Sequence, residues 1–195
     1  MAANADDAVM RVLGIDPGLR RTGYGCIECS GVTATPRVVE AGVIRLDPRT
    51  SVAERLAELS RDLRSLVAEL RPDRLAVEQV FSHAEHVRTA ILMAHARGVV
   101  LLCGAEASLP LDELAPAEVK RAIAGSGRAA KEQMQEAVRI RCGLRQRPEP
   151  HDVADALAIA LCGADRSWSE RLSADATPPV ATATDLSPRP APAGS

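Results

Sequence analysis

The chain has 195 residues, 46% of them hydrophobic, enough for one domain around a single apolar core and too few for two comparable domains closing over a cleft. A net charge of -2 gives no general affinity for polyanions, and aromatic residues are confined to Phe81, Tyr24 and Trp168, so the core is expected to be aliphatic. No run approaches the roughly 18 uncharged apolar residues of a membrane span, and MAANADDAV carries acids where a secretory signal carries bases, so a cytoplasmic protein with no membrane partner is expected.

Residues 1–9 have no hydrophobic period and read as a flexible extension, with Met10 a candidate natural start. RVLGID is a short apolar strand ending in an acid. The turn pair Pro17-Gly18 leads to a second strand, TGYGCIEC, and RVVEAGVIRL supplies a third, completing a meander. From Val52 to Leu70, apolar residues at three-and-four spacing predict a helix that stops before Pro72. RLAVEQV is a fourth strand, again ending near an acid, and a long helix follows from about Glu85 to Glu106. PLDELA is a fifth strand. Pro116 opens a short helix through Ile123, and after the turn GSGR a helix runs from Ala129 to Cys142. Pro148 and Pro150 bound a last helix, HDVADALAIALCGA, and from about residue 172 the chain is a Pro, Ala, Ser and Thr tail with too few apolar anchors to pack. One domain over 10–171 and a disordered tail over 172–195 are expected. Strands first in a meander, then alternating with helices, predict an α/β fold: a mixed five-stranded sheet with helices on both faces.

Cys26, Cys29, Cys103, Cys142 and Cys162 are odd in number and scattered through apolar segments, as reduced, buried thiols are. Cys26 and Cys29 form a CxxC without a second half-site. In a strand, residues three apart face opposite ways, so the pair is expected to be structural.

The chemistry lies in four acids. Asp16 closes the first strand and Glu78 sits at the end of the fourth, where the ligand sites of open α/β sheets lie. Asp152 and Asp155, three apart, share one face of an otherwise apolar helix. Buried like charges are costly unless a cation joins them, and oxygen-only ligands favour Mg2+, with Mn2+ as a substitute. Two such ions can activate water and stabilise a leaving oxygen in phosphodiester hydrolysis. Each acid also has an ordinary structural explanation: Asp16 as a turn residue, Asp152 as a helix-start acid, Glu78 as an arginine's partner. Between Leu114 and Arg147 stand eight bases against three acids, a local excess suited to a phosphate backbone or simply to solvent.

The segments LGIDPGLRRTGYG, VEQVFS, ARGV, PAEVKRAIAGSGRAAKEQM and DVADALAIA, in that order, resemble the RuvC family of bacterial Holliday-junction resolvases, which have an RNase H-like fold. The resemblance covers roughly residues 10–164. It implies a homodimer that nicks two symmetric strands of a four-way DNA junction in recombination and repair. Asp16, Glu78, Asp152 and Asp155 would be the catalytic carboxylates holding two Mg2+ ions per site, and the RuvA–RuvB branch-migration complex would be a partner. Lys120 and Lys131 match basic residues of the family, Lys120 close to the active site and both placed to meet DNA; Arg121 and Arg128 lie in the same stretch. All but these two lysines of the 24 basic residues are arginine, so lysine persists where a compact point charge is called for. Phe81 stands where the family has an aromatic that meets bases at the crossover, with core filling as the alternative.

Two departures stand out. The long helix reads MAHARG in place of LGQARG, with His86 where asparagine is common. His151 adjoins Asp152 and competes with it as a ligand; Asp152 is preferred because it keeps the three-residue relation with Asp155. Other functions remain open on the acids alone. An ATP-dependent sugar-kinase or actin-like domain would need a second domain, a junction-binding protein without catalysis would not need four acids, and a nuclease of RNA–DNA hybrids differs only in the VEQVF and Lys120–Lys131 segments.

Overall fold

The computed structural model describes residues 9–31, 34–80 and 87–175; Phe81, His86 and both chain ends lie outside the described residues. The elements run in the order β1 (Met10–Asp16), β2 (Arg21–Cys29), β3 (Arg37–Arg45), α1 (Val52–Leu70), β4 (Arg74–Glu78), α2 (Val87–Glu106), β5 (Leu111–Leu114), α3 (Pro116–Ala124), α4 (Lys131–Arg141) and α5 (His151–Asp175). They form one five-stranded sheet of order β3-β2-β1-β4-β5. β1, β2 and β3 pair antiparallel, and β4 and β5 run parallel to β1, the mixed sheet expected from the chain order.

The two-residue period of the strands divides the core. Leu13, Ile15, Cys26, Leu75 and Val77 face α1 and α2, while Val12, Ile27, Cys29 and Ala76 face α5 with α3 and α4 behind it. Cys26 and Cys29 are therefore buried on opposite faces and bond to no other cysteine. α1 begins on a reciprocal cap, with the Glu54 amide donating to Ser51 Oγ and the Ser51 amide donating to the Glu54 carboxylate. It ends where Arg71 turns left-handed ahead of Pro72.

Two helices add to the sequence reading. α2 is long and apolar enough, by length and composition, to cross a membrane, at a mean hydropathy of 1.4 with 22% of the apolar stretch buried. Arg88 and Arg97 interrupt it, so it holds no uncharged run of that length. One face of α2 packs through Ala96, Val100 and Cys103, while Val87, Ile91 and Leu102 are exposed. α5 runs to Asp175, well beyond Ala164. The cause is Trp168, which is buried, donates its indole N–H to Cys29 Sγ at 3.4 Å and carries the Arg171 guanidinium over its ring.

Candidate active site

Asp16 and Glu78 meet through strand register. β1 and β4 are paired up to Ile15 and Val77, so the two acids are the next residues on adjacent parallel strands. Alternation places both on the α5 face, continuing Val12 and Gly14 on β1 and Ala76 on β4.

α5 comes unusually close to this surface. A Cβ at Gly14 would lie 2.3 Å from the Ala156 carbonyl oxygen, and one at Gly23, opposite Asp16, would lie 2.1 Å from that of Asp152. At Gly25 the space is taken by the Leu157 side chain. Strand glycines let the helix backbone rest directly on β1 and β2, and the first turn of α5 thereby carries Asp152 and Asp155 to the edge where Asp16 and Glu78 end. Ala156 to Leu161 are buried, each large side chain worth about 1.5–3 kcal/mol, so the helix cannot shift freely.

The four carboxylates interact. Burial, then the charges of Asp155 and Asp152, push Asp16 up to about 7. Burial, then Asp16 and Asp155, push Glu78 up to about 7. Asp155 is raised mainly by burial; Asp152 raises it further, and Lys131, His151 and Lys120 pull it down. A protein that gathers half-buried acids until two of them hold protons near neutrality has built a site for positive charge. As they lie, no three histidine, cysteine, aspartate or glutamate side chains among the described residues form a ready-made metal shell. Like-charged carboxylates without a counter-ion repel, and the donor set, all oxygen, fits hard divalent cations such as Mg2+ or Mn2+. His151 is exposed at the start of α5 and acts on Asp155 through its charge.

Of the basic residues singled out in the sequence, Lys120 and Lys131 act on the acids: Lys120 on Glu78 and Asp155, Lys131 on Asp16 and Asp155. Arg121 and Arg128 are exposed and are not among the charges that shift the acids. Three of the eight bases between Leu114 and Arg147 are held by acids, Arg139 and Arg147 by Glu136 and Arg141 by Asp165. One residue near the acids had no sequence signal: Arg21, at the start of β2, has Nη1 3.6 Å from Asp152 Oδ2. The glycine bed beneath α5 also went unread, although LGIDPG and TGYG display it.

A mixed sheet of this order, with helices on both faces and carboxylates from β1, β4 and the last helix at one edge, is an RNase H-like fold. The family model for crossover junction endodeoxyribonuclease RuvC matches residues 12–163. Two relatives, both crossover junction endodeoxyribonucleases RuvC, are similar over most of their length. That of Rhodopirellula baltica is 47% identical over 152 residues, 78% of this chain and 84% of the relative; that of Salinispora arenicola is 49% identical over 154 residues, 78% and 86%. Thermus thermophilus RuvC, solved in complex with a Holliday junction substrate, superposes with a TM-score of 0.77 at 34% identity, covering 83% of this chain and 96% of that one. The chain belongs to the RuvC family of crossover junction endodeoxyribonucleases.

Proposed function

We propose that this chain resolves Holliday junctions by metal-dependent hydrolysis, with Asp16, Glu78, Asp152 and Asp155 as the catalytic carboxylates. The observation that carries the reading is the convergence of β1, β4 and the first turn of α5, which leaves Asp16 and Glu78 protonated near neutrality when no cation is present. Two bound Mg2+ ions, or Mn2+, would supply an activated water on one side of the scissile phosphodiester and charge stabilisation for the leaving oxygen on the other. The protein's part is to hold the four carboxylates on rigid elements, lose the protons of Asp16 and Glu78, and present Lys120 and Lys131 to the phosphate. Phe81 is assigned to base stacking at the crossover by its place in VEQVFS, three residues after Glu78.

A four-way junction offers two equivalent strands, and paired nicks need two sites. We therefore assign a homodimer, supported by the uncovered apolar residues Val87, Ile91 and Leu102 on α2. Ile91→Glu should shift the protein to monomer in sedimentation, whereas an unchanged dimer would remove α2 from the interface. The RuvA–RuvB complex is assigned as a partner, and the cytoplasm as its place, on family membership alone. We assign residues 10–171 to the nuclease domain, whose last helix continues to Asp175.

The assignment of the acids is tested with Asp16→Asn. Cleavage of a synthetic junction in Mg2+ should disappear while binding in chelator persists; equal loss of both would make Asp16 a folding residue.

A further inference from the structure

β1 ends at Asp16, β2 starts at Arg21 and β3 ends at Arg45, so both arginines lie at the same sheet edge as the acidic site. Arg21 and Arg45 stand directly opposite in the β2–β3 register. By alternation they share the face of Gly23, the face on which α5 begins. Arg20 precedes them in the β1–β2 turn. Together with Leu46 and Pro48, the three arginines line one concavity, and all three are exposed.

This is an uneconomical way to place positive charge. Like charges directly opposite on neighbouring strands destabilise a sheet. Elsewhere around this sheet the arginines are matched: Arg11 and Arg37 sit on Glu28, Arg49 on Asp47, and Arg74 on Asp112. Asp47, the acid nearest to Arg45 in sequence, gives both carboxylate oxygens to Arg49. Among the described residues, the Arg20 and Arg45 side chains make no ion pair, and Arg21 has only the long contact to Asp152. Three exposed arginines thus line one concavity, and among the described residues the only acid within ion-pair reach of any of them is Asp152, against Arg21.

The location says which anion would bind there. The cluster is on the β2–β3 side of β1, while β4, whose Glu78 feels the charge of Lys120, is on the other side. Guanidinium groups match phosphate oxygens in a bidentate fork. We propose that Arg20, Arg21 and Arg45 form a phosphate-binding subsite that grips the DNA backbone beside the scissile position, on the β2–β3 flank of the acids. The proposal rests on the reading that the acidic edge cuts junction DNA. It assigns Arg21 a second part: a guanidinium that borders Asp152 in the free protein and meets a backbone phosphate in the complex.

The test is fluorescence anisotropy of a labelled four-way junction in chelator, with salt varied from roughly 50 to 200 mM, the range over which phosphate contacts show themselves. Replacing Arg20 and Arg45 together by Ala should weaken binding and flatten the dependence of log affinity on log salt by about 1 for each lost phosphate contact. Arg45→Lys alone, which keeps the charge, should hold the wild-type slope. Arg37→Ala, at the far end of β3 and already paired with Glu28, is the control and should change neither quantity. An unchanged slope in the double variant, or an equal loss in Arg37→Ala, overturns the subsite. Failure of the wild-type protein to bind or cut junctions would instead overturn the reading beneath it.

Discussion

Replacing Gly23 with alanine tests whether catalysis depends on how closely α5 lies on the sheet. The added Cβ would sit 2.1 Å from the Asp152 carbonyl oxygen and 2.8 Å from its carbonyl carbon. Ordinary carbon–oxygen contacts begin near 3.3 Å, so the first turn of α5 must retreat by about 1.2 Å. Neither atom is the end of a flexible side chain that could swing aside. Overpacking of this kind typically costs about 1–3 kcal/mol, which a domain with this core survives. The site is more sensitive: a misplacement of about 1 Å in a catalytic constellation lowers rates by roughly 100-fold. Asp152 and Asp155 both ride on the displaced turn, so single-turnover cleavage of a junction in Mg2+ should fall by about that factor while junction binding in chelator is retained. Cleavage within threefold of wild type, in a protein with unchanged thermal stability, would refute the claim that backbone contact at Gly23 sets the carboxylate geometry.

Further expectations concern pH, the helix end and the lysines. The metal-free folded state holds protons on Asp16 and Glu78 up to about pH 7, whereas the unfolded chain releases them near 4. The folded state thus binds more protons in between, and thermal melts in chelator should show stability falling as pH rises from about 4 to 7 and levelling above it. Saturating Mg2+ should abolish that fall, and a metal-free protein whose stability rises over the same window would contradict the raised carboxylates. Trp168→Ala should cost about 3–5 kcal/mol in denaturant titrations without changing the cleavage rate per folded molecule; a loss below about 1 kcal/mol would mean that the end of α5 is not part of the fold. Lys120→Ala and Lys131→Ala should each slow cleavage in Mg2+ more than they weaken binding in chelator, the reverse marking them as general DNA contacts.

Local patterns found the elements because this sheet is built from them. The apolar strands, the three-and-four spacing of α1 and the proline punctuation before α3 and α5 all act within a few residues, and Asp16 and Glu78 were visible as acids at the ends of such strands. What depends on distant partners was harder to read. Trp168 lies in a polar stretch and is ordered by Cys29, 139 residues earlier, so the helix outran its own hydrophobic pattern. Which bases of the basic stretch are already held could not be read either, because Asp165, which takes up Arg141, lies outside it. Arg21 borders Asp152 only once β2 has been laid under α5, and the glycines at 14, 23 and 25 declare their purpose only when a helix backbone is seen resting on them.

The central claim is that the acids at this sheet edge, with a divalent cation, resolve four-way junctions. Its most direct test is to incubate the protein with end-labelled four-way junction, linear duplex and RNA–DNA hybrid, with Mg2+ or with chelator, and to map the products. Paired, symmetric nicks in the junction alone, and only with metal, are predicted. Preferential cutting of the hybrid, or cutting in chelator, would contradict the account.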